Sequence, residues 1–114
     1  METTRQNKIS RLIQKDLGEI FRFESKNLFR GAMITVTKVL VSPDLSIAKV
    51  YLSLFAINDK DELLIKIKRQ AKSIRYNLGK KIRNQIRVIP ELHFFIDDSL
   101  DYIDNIEKLL EEEE

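Results

Sequence analysis

The chain has 114 residues, 43% of them apolar, and no cysteine; this is the size of one domain with a buried core, and it excludes disulfides, thiol nucleophiles and thiolate metal sites. The formal net charge of +2 joins two opposed parts: residues 1–90 carry 19 basic and 8 acidic side chains, net +11, and residues 91–114 carry 1 basic and 10 acidic, net −9. No apolar stretch follows Met1-Glu2-Thr3-Thr4-Arg5, and the longest apolar run, Leu54–Ile57, is far too short to cross a bilayer, so a soluble cytoplasmic protein without a secretory signal is expected.

Ile9, Leu12, Ile13, Leu17, Ile20 and Phe21 recur at steps of three and four and predict a first helix with one apolar stripe. Phe23–Gly31 loses this period and ends in glycine, which reads as a loop. Ile34–Val41 is rich in β-branched residues and predicts a strand. Ser42-Pro43-Asp44-Leu45-Ser46 is turn chemistry. Ile47–Phe55 then alternates, with Ala48, Val50, Leu52 and Leu54 on one side and Lys49, Tyr51 and Ser53 on the other, completing a hairpin with one buried face.

Asn58 or Asp59 is placed to cap a second helical region. Its apolar positions Ile67, Ala71, Ile74, Leu78, Ile82 and Ile86 drift by roughly a quarter turn, taking about 100° per residue, which predicts two helical pieces joined at a bend. Val88-Ile89-Pro90-Glu91 closes the region, and Leu92–Ile96 alternates as a third strand. Asp97-Asp98-Ser99 resembles a cap for a last, acidic helix with the narrow stripe Leu100, Ile103, Ile106 and Leu110. No internal repeat or linker divides the chain. The expected organisation is one α+β domain over residues 1–99, in the order α-β-β-α-α-β, followed by an acidic helical or partly disordered tail over 100–114.

The segment Leu63–Pro90 holds nine Lys/Arg and no Asp or Glu. A solvated helix face normally mixes both signs, so a single-sign run of this length points to a polyphosphate partner, most often nucleic acid. Lys68, Arg69, Lys72, Arg75, Lys80, Lys81, Arg83 and Arg87 are the candidate phosphate contacts; most lie away from the apolar stripe, with Arg5, Lys8 and Arg11 of the first helix as a secondary set. The expected bend region is Gln70-Ala71-Lys72-Ser73-Ile74, in which packing is a sufficient reason for the small residues Ala71 and Ser73. Tyr51, His93 and Phe95 share the outer face of the proposed sheet; they could stack bases, but half-buried sheet surface is the preferred reading.

Candidates for catalysis or metal binding are weak. His93 is the lone histidine. Asp97, Asp98, Asp101 and Asp104 form the one carboxylate cluster, but they lack a glycine-punctuated cation loop, and acids in a first helical turn face the helix dipole favourably. Ser99, His93 and Asp98 have no nucleophile elbow around them, and the scattered Gly18, Gly31 and Gly79 make no phosphate-cradling loop. No enzyme, cofactor or metal is expected.

Three stretches taken together resemble a known family: the first helix from Asn7 to Leu17; Phe29-Arg30-Gly31-Ala32-Met33-Ile34-Thr35-Val36-Thr37-Lys38-Val39 running into Val41–Tyr51; and Ile74–Arg83 with Ile89–Leu100. The set is similar to ribosome-binding factor A, bacterial assembly factors of the small ribosomal subunit. The resemblance implies a type II KH-like domain in which a bend, usually Ala-x-Gly, replaces the GXXG loop; here Ala71-Lys72-Ser73 stands at that place, with serine for glycine. The loop Asn27–Gly31 also lacks the family's usual proline. The resemblance further implies binding to the free small (30S) subunit and its ribosomal RNA, ribosomal proteins as further contacts, aid to late 16S ribosomal RNA processing, a role in cold adaptation, a cytoplasmic location and a monomer without membrane attachment. The rival reading is a protein-interaction module that docks basic partners through its acidic C-terminal helix.

Overall fold

The first helix begins where the sequence supplies its own cap. A computed structural model describes residues 3–29, 31–54 and 58–99; the acidic segment from residue 100 onward, including the expected last helix, lies outside them. Helix α1 (Thr4–Leu28) opens with Thr3 Oγ1 accepting the Gln6 N–H at 3.1 Å while Gln6 Oε1 accepts the Thr3 N–H at 2.8 Å. Two N–H groups that an open helix end would leave unpaired are satisfied reciprocally. Gln6 is 4% exposed, and its Nε2 donates to Val41 O at 2.9 Å, fastening the start of α1 to the end of the first strand.

Residues 23–28, expected as loop, are helical. They lose the apolar period because this turn is solvated on most sides (Phe23 is 78% exposed), yet no glycine or proline interrupts them. The helix stops at the first residue able to reverse the chain cheaply: Gly31 takes φ +77° and donates its N–H to Ser25 O at 2.8 Å. Phe29, 3% exposed, then turns inward to lie 6.0 Å from the Phe21 ring.

Strands β1 (Thr35–Val41) and β2 (Ile47–Ser53) pair antiparallel, and β2 pairs parallel with β3 (Glu91–Ile96), giving the order β1-β2-β3. The β1–β2 turn is built on Asp44, whose Oδ1 accepts Ser42 Oγ at 2.7 Å, Ser46 Oγ at 2.7 Å and the Ser46 N–H at 3.1 Å. These bonds hold the carboxyl down to about 2, the Ser42 hydroxyl first among them. The register slips by one residue between Val36 and Lys38, and Gln14 Nε2 lies 3.3 and 3.4 Å from the Val36 and Thr37 carbonyls at this bulge. Ser53 departs from the expected alternation and is buried at the end of β2, opposite Thr35.

A parallel pair needs a long crossover, and two helices supply it. Helix α2 (Lys60–Arg69) is capped by Asp59, whose Oδ1 accepts the Glu62 N–H at 2.9 Å. Helix α3 (Ala71–Ile82) follows after the single residue Gln70, at φ −94° and ψ 7°. The expected bend is therefore present, and it falls at Gln70, one residue ahead of Ala71–Ser73. Serine in place of the family's glycine is compatible with this geometry, because none of Ala71, Lys72 and Ser73 takes a positive φ. Helix α3 also ends earlier than the stripe suggested: Arg83 is its C-cap, and turn residues lead to Ile86.

The helices cover one face of the sheet, α1 over β1 and both α2 and α3 over β3. Ile13, Leu17, Val50, Leu52, Ile67, Ile74, Leu78 and Ile82 are buried between them, each contributing about 1.5–3 kcal/mol by leaving water. The other sheet face carries Lys38, Lys49, Tyr51, His93 and Phe95, exposed or half-buried.

Candidate nucleic-acid interface

The basic residues acquire their positions from the buried stripe of the crossover. With Ile67, Ile74, Leu78 and Ile82 facing the sheet, Lys68, Arg69, Lys72, Arg75 and Lys80 are left on the outer side of α2 and α3. The chain leaving α3 then folds back along it. An open groove of about 680 Å³ runs between the two, lined by Lys72, Arg75, Tyr76, Lys80, Arg83 and Arg87, with Gly79, Val88 and Ile89 between them. Gly79 faces the returning segment, where a Cβ would meet Ile89 Cγ1 at 3.4 Å, an ordinary van der Waals contact.

A second open groove continues from the first across the bend. Lys68, Arg69, Ala71, Lys72 and Arg75 line it with Ser46, Val88, Ile89, Glu91 and Leu92. The two share Lys72, Arg75, Val88 and Ile89, so seven of the eight block residues picked from the sequence border one continuous surface. Among the described residues none of these seven is ion-paired with a carboxylate. A concave wall of seven cations with the single carboxylate Glu91 focuses a positive field on whatever enters.

Two of the eight donate side-chain hydrogen bonds within the protein. Lys81, the eighth, points to α1, where its Nζ lies 3.1 Å from Glu19 Oε2; that hydrogen bond, with the Lys81 charge behind it, holds the Glu19 carboxyl below its usual range. Arg75 donates from Nε to Pro90 O at 3.1 Å and from Nη2 to Ile89 O at 2.5 Å. It clasps the returning segment while bordering both grooves. Arg83 and Arg87, expected on a helix face, sit at the C-cap and in the loop beyond it.

The secondary set divides as well. Arg5 shares a small hollow with Ile9, Leu45, Arg87 and Val88, which joins it to the basic side of the molecule. Lys8 and Arg11 are exposed on α1 and line neither groove. Ala71 borders the second groove, whereas Ser73 is exposed and lines neither. Tyr76 was not singled out from the sequence. Its signal was there, an aromatic residue off the apolar stripe within an unbroken basic block.

The outer sheet face is a separate surface. Tyr51 and Phe95 stack with centroids 5.4 Å apart, and His93 Nε2 lies 3.7 Å from Glu91 Oε1. Asp97 is tied into the fold by hydrogen bonds: its Oδ1 accepts Ser99 Oγ at 2.6 Å and the Ser99 N–H at 3.0 Å, and its Oδ2 accepts Thr37 Oγ1 at 2.6 Å. Among the described residues no group of three or more His, Cys, Asp or Glu is placed to hold a metal ion. No helix of the described residues is long and apolar enough to cross a membrane.

Comparison with known proteins agrees with this architecture. The family profile described as ribosome-binding factor A matches residues 5–110. The ribosome-binding factor A of Cytophaga hutchinsonii is 46% identical over 110 residues, covering 96% of this chain and 83% of the relative. That of Flavobacterium johnsoniae is 48% identical over 111 residues, covering 96% and 85%. The crystal structure of ribosome-binding factor A from Thermus thermophilus superposes with a TM-score of 0.65 at 24% identity, covering 80% of this chain and 94% of that one. A homology model of the Thermus thermophilus factor, as fitted into the cryo-EM map of its complex with the 30S subunit, superposes with a TM-score of 0.59 at 21% identity, covering 86% of this chain and 97% of that one. With a profile match over nearly the whole length and relatives close to half identical, the chain belongs to the ribosome-binding factor A family.

Proposed function

We propose that this protein is a non-enzymatic, cytoplasmic assembly factor that binds the free small ribosomal subunit through its ribosomal RNA. In this role it aids late maturation of that RNA and supports growth at low temperature. The observation that carries the reading is the continuous basic surface along α2, α3 and the returning segment, where seven Lys/Arg border two joined grooves without a carboxylate partner among the described residues. Lys68, Arg69, Lys72, Lys80, Arg83 and Arg87 contact phosphates, each releasing condensed counterion, so affinity falls steeply as salt rises. Arg5 adds to them from α1, and Lys8 and Arg11 serve as outlying contacts. Phosphate contacts orient the protein but carry little sequence information; recognition of folded ribosomal RNA then rests on its shape, with ribosomal proteins as neighbours. The fit of the Thermus thermophilus factor into a 30S complex supports the same destination for this chain.

Co-sedimentation with free small subunits, large subunits and joined ribosomes at several salt concentrations tests the proposal. Binding confined to free small subunits, and weakened by Arg69→Glu with Lys72→Glu, is expected. Equal binding to all three particles would reduce the protein to a generic basic RNA binder. Residues 1–99 are proposed to carry the binding as a monomeric unit, so truncation after Ser99 leaves it intact; its loss would transfer the function to the acidic tail.

A further inference from the structure

The first groove holds something that phosphate binding does not require. Tyr76 is 66% exposed, and Val88 is 63% exposed on the returning segment; both line the groove with Gly79 and Ile89, alongside its cations. A site for backbone phosphates alone needs no apolar lining, since phosphates are met by cations, hydroxyls and N–H groups. Lys80 Nζ lies 4.7 Å from the Tyr76 ring centroid, a cation–π contact across one turn of α3. That contact leaves the ring exposed. Among the described residues no aromatic ring packs on Tyr76, in contrast to Tyr51, which is stacked on Phe95. A ring with a cation on one face can still offer its other face to a flat partner, and a groove of about 680 Å³ is within the usual 300–1,000 Å³ of small-molecule sites, large enough for a nucleotide.

Resting on the RNA-binding reading above, we infer that Tyr76 stacks an unpaired base of single-stranded RNA in this groove, while Lys72, Arg83 and Arg87 hold the flanking phosphates. A base inside a duplex has its faces occupied by its neighbours, so the groove selects single-stranded or extruded nucleotides. Lys80 keeps its place over the ring and adds charge beside the base. Tyr76 thereby acts as a specificity-determining residue for strand state, whereas the cations set the salt-dependent affinity.

The test uses the full chain and three probes: a single-stranded RNA oligonucleotide carrying one 2-aminopurine, the same strand in a duplex, and adenosine monophosphate. Wild type is expected to bind the single strand more tightly than the duplex and to quench the 2-aminopurine. Tyr76→Ala weakens single-strand binding by about 5- to 150-fold, the range for losing one base–aromatic stack, with duplex affinity and salt slope unchanged; Tyr76→Phe keeps wild-type affinity and quenching. Because residue 76 is exposed, thermal unfolding of both variants should match wild type. Equal losses on single strand and duplex, or no loss from Tyr76→Ala while Arg83→Gln with Arg87→Gln weakens binding, would overturn the stacking role and leave the RNA-binding reading standing. No binding of either RNA at low salt would overturn both. Adenosine monophosphate binding as tightly as the oligonucleotide would replace the RNA strand by a free nucleotide as occupant.

Discussion

Arg75 and Lys72 lie one helical turn apart on the same groove wall, yet they should fail in different ways when replaced. The Arg75 guanidinium spans two carbonyls of the returning segment, Ile89 O at 2.5 Å and Pro90 O at 3.1 Å. Glutamine is too short to reach both, and lysine lacks the planar fork that meets both at once. Hydrogen bonds to a charged group contribute about 1.5–3 kcal/mol when sheltered. One of these is part-buried and the other exposed, so discounting for solvent leaves about 1–2 kcal/mol for the pair. On a domain of this size each kcal/mol lowers the melting temperature by about 4–8 °C. Lys72 is exposed and has no hydrogen bond or ion pair among the described residues, so Lys72→Gln should stay within about 0.5 kcal/mol of wild type. Its effect should appear in binding, where one lost phosphate contact lowers the slope of log K against log salt by about 0.7–0.9. Urea unfolding and salt-dependent RNA binding of Arg75→Lys, Arg75→Gln and Lys72→Gln separate the two roles. If Arg75→Lys unfolds at the wild-type urea concentration, the clasp contributes nothing and the argument fails.

Three further outcomes follow from single residues. Ser10 Oγ is buried without a hydrogen-bond partner among the described residues, and alanine is the better helix former, so Ser10→Ala should raise the urea midpoint, by about 0.5–1 kcal/mol in stability. Gly31 at φ +77° has open space around it but a backbone that side chains resist; Gly31→Ala should cost about 1 kcal/mol, read as a lower melting temperature. Asp44 is held down to about 2 from an ordinary 3.8 by the Ser42 and Ser46 hydroxyls and the Ser46 N–H. A depressed carboxyl stabilises the fold above its unfolded value and loses that contribution as pH falls through the folded one. Acid titration should therefore show wild type losing stability between about 3.8 and about 2 and Asp44→Asn losing less over the same interval.

The sequence reading succeeded where a period decides the outcome. The stripe Ile9–Phe21, the alternation Ala48–Leu52 and the Asp59 cap all appear as expected, because burial of one face leaves few other ways to fold those residues. It failed where a boundary depends on what is absent. Residues 23–28 lose the apolar period without containing a helix breaker, so α1 runs on until Gly31 can reverse the chain. The drift of the crossover stripe placed a bend within Gln70–Ile74, and the chain breaks at the first residue of that range, although glutamine is not itself a turn residue.

The basic block shows the same division at the level of the site. Its charge was plain in the sequence, but the work of each cation was not, because that depends on where residues 83–90 return. Lys81 falls on the side facing Glu19, Arg75 meets the carbonyls of Ile89 and Pro90, and Arg87 leaves the helix for the loop. One physical demand links fold and site. Pairing β3 parallel to β2 requires a crossover that buries a stripe against the sheet, and α2 and α3 meet it with Leu63, Ile67, Ile74, Leu78 and Ile82. Once that inner side is fixed, the outer side is free to carry one sign of charge, since stability there depends on almost none of it. The exception is the arginine that holds the returning segment in place, and with it the groove in which the other cations and Tyr76 converge.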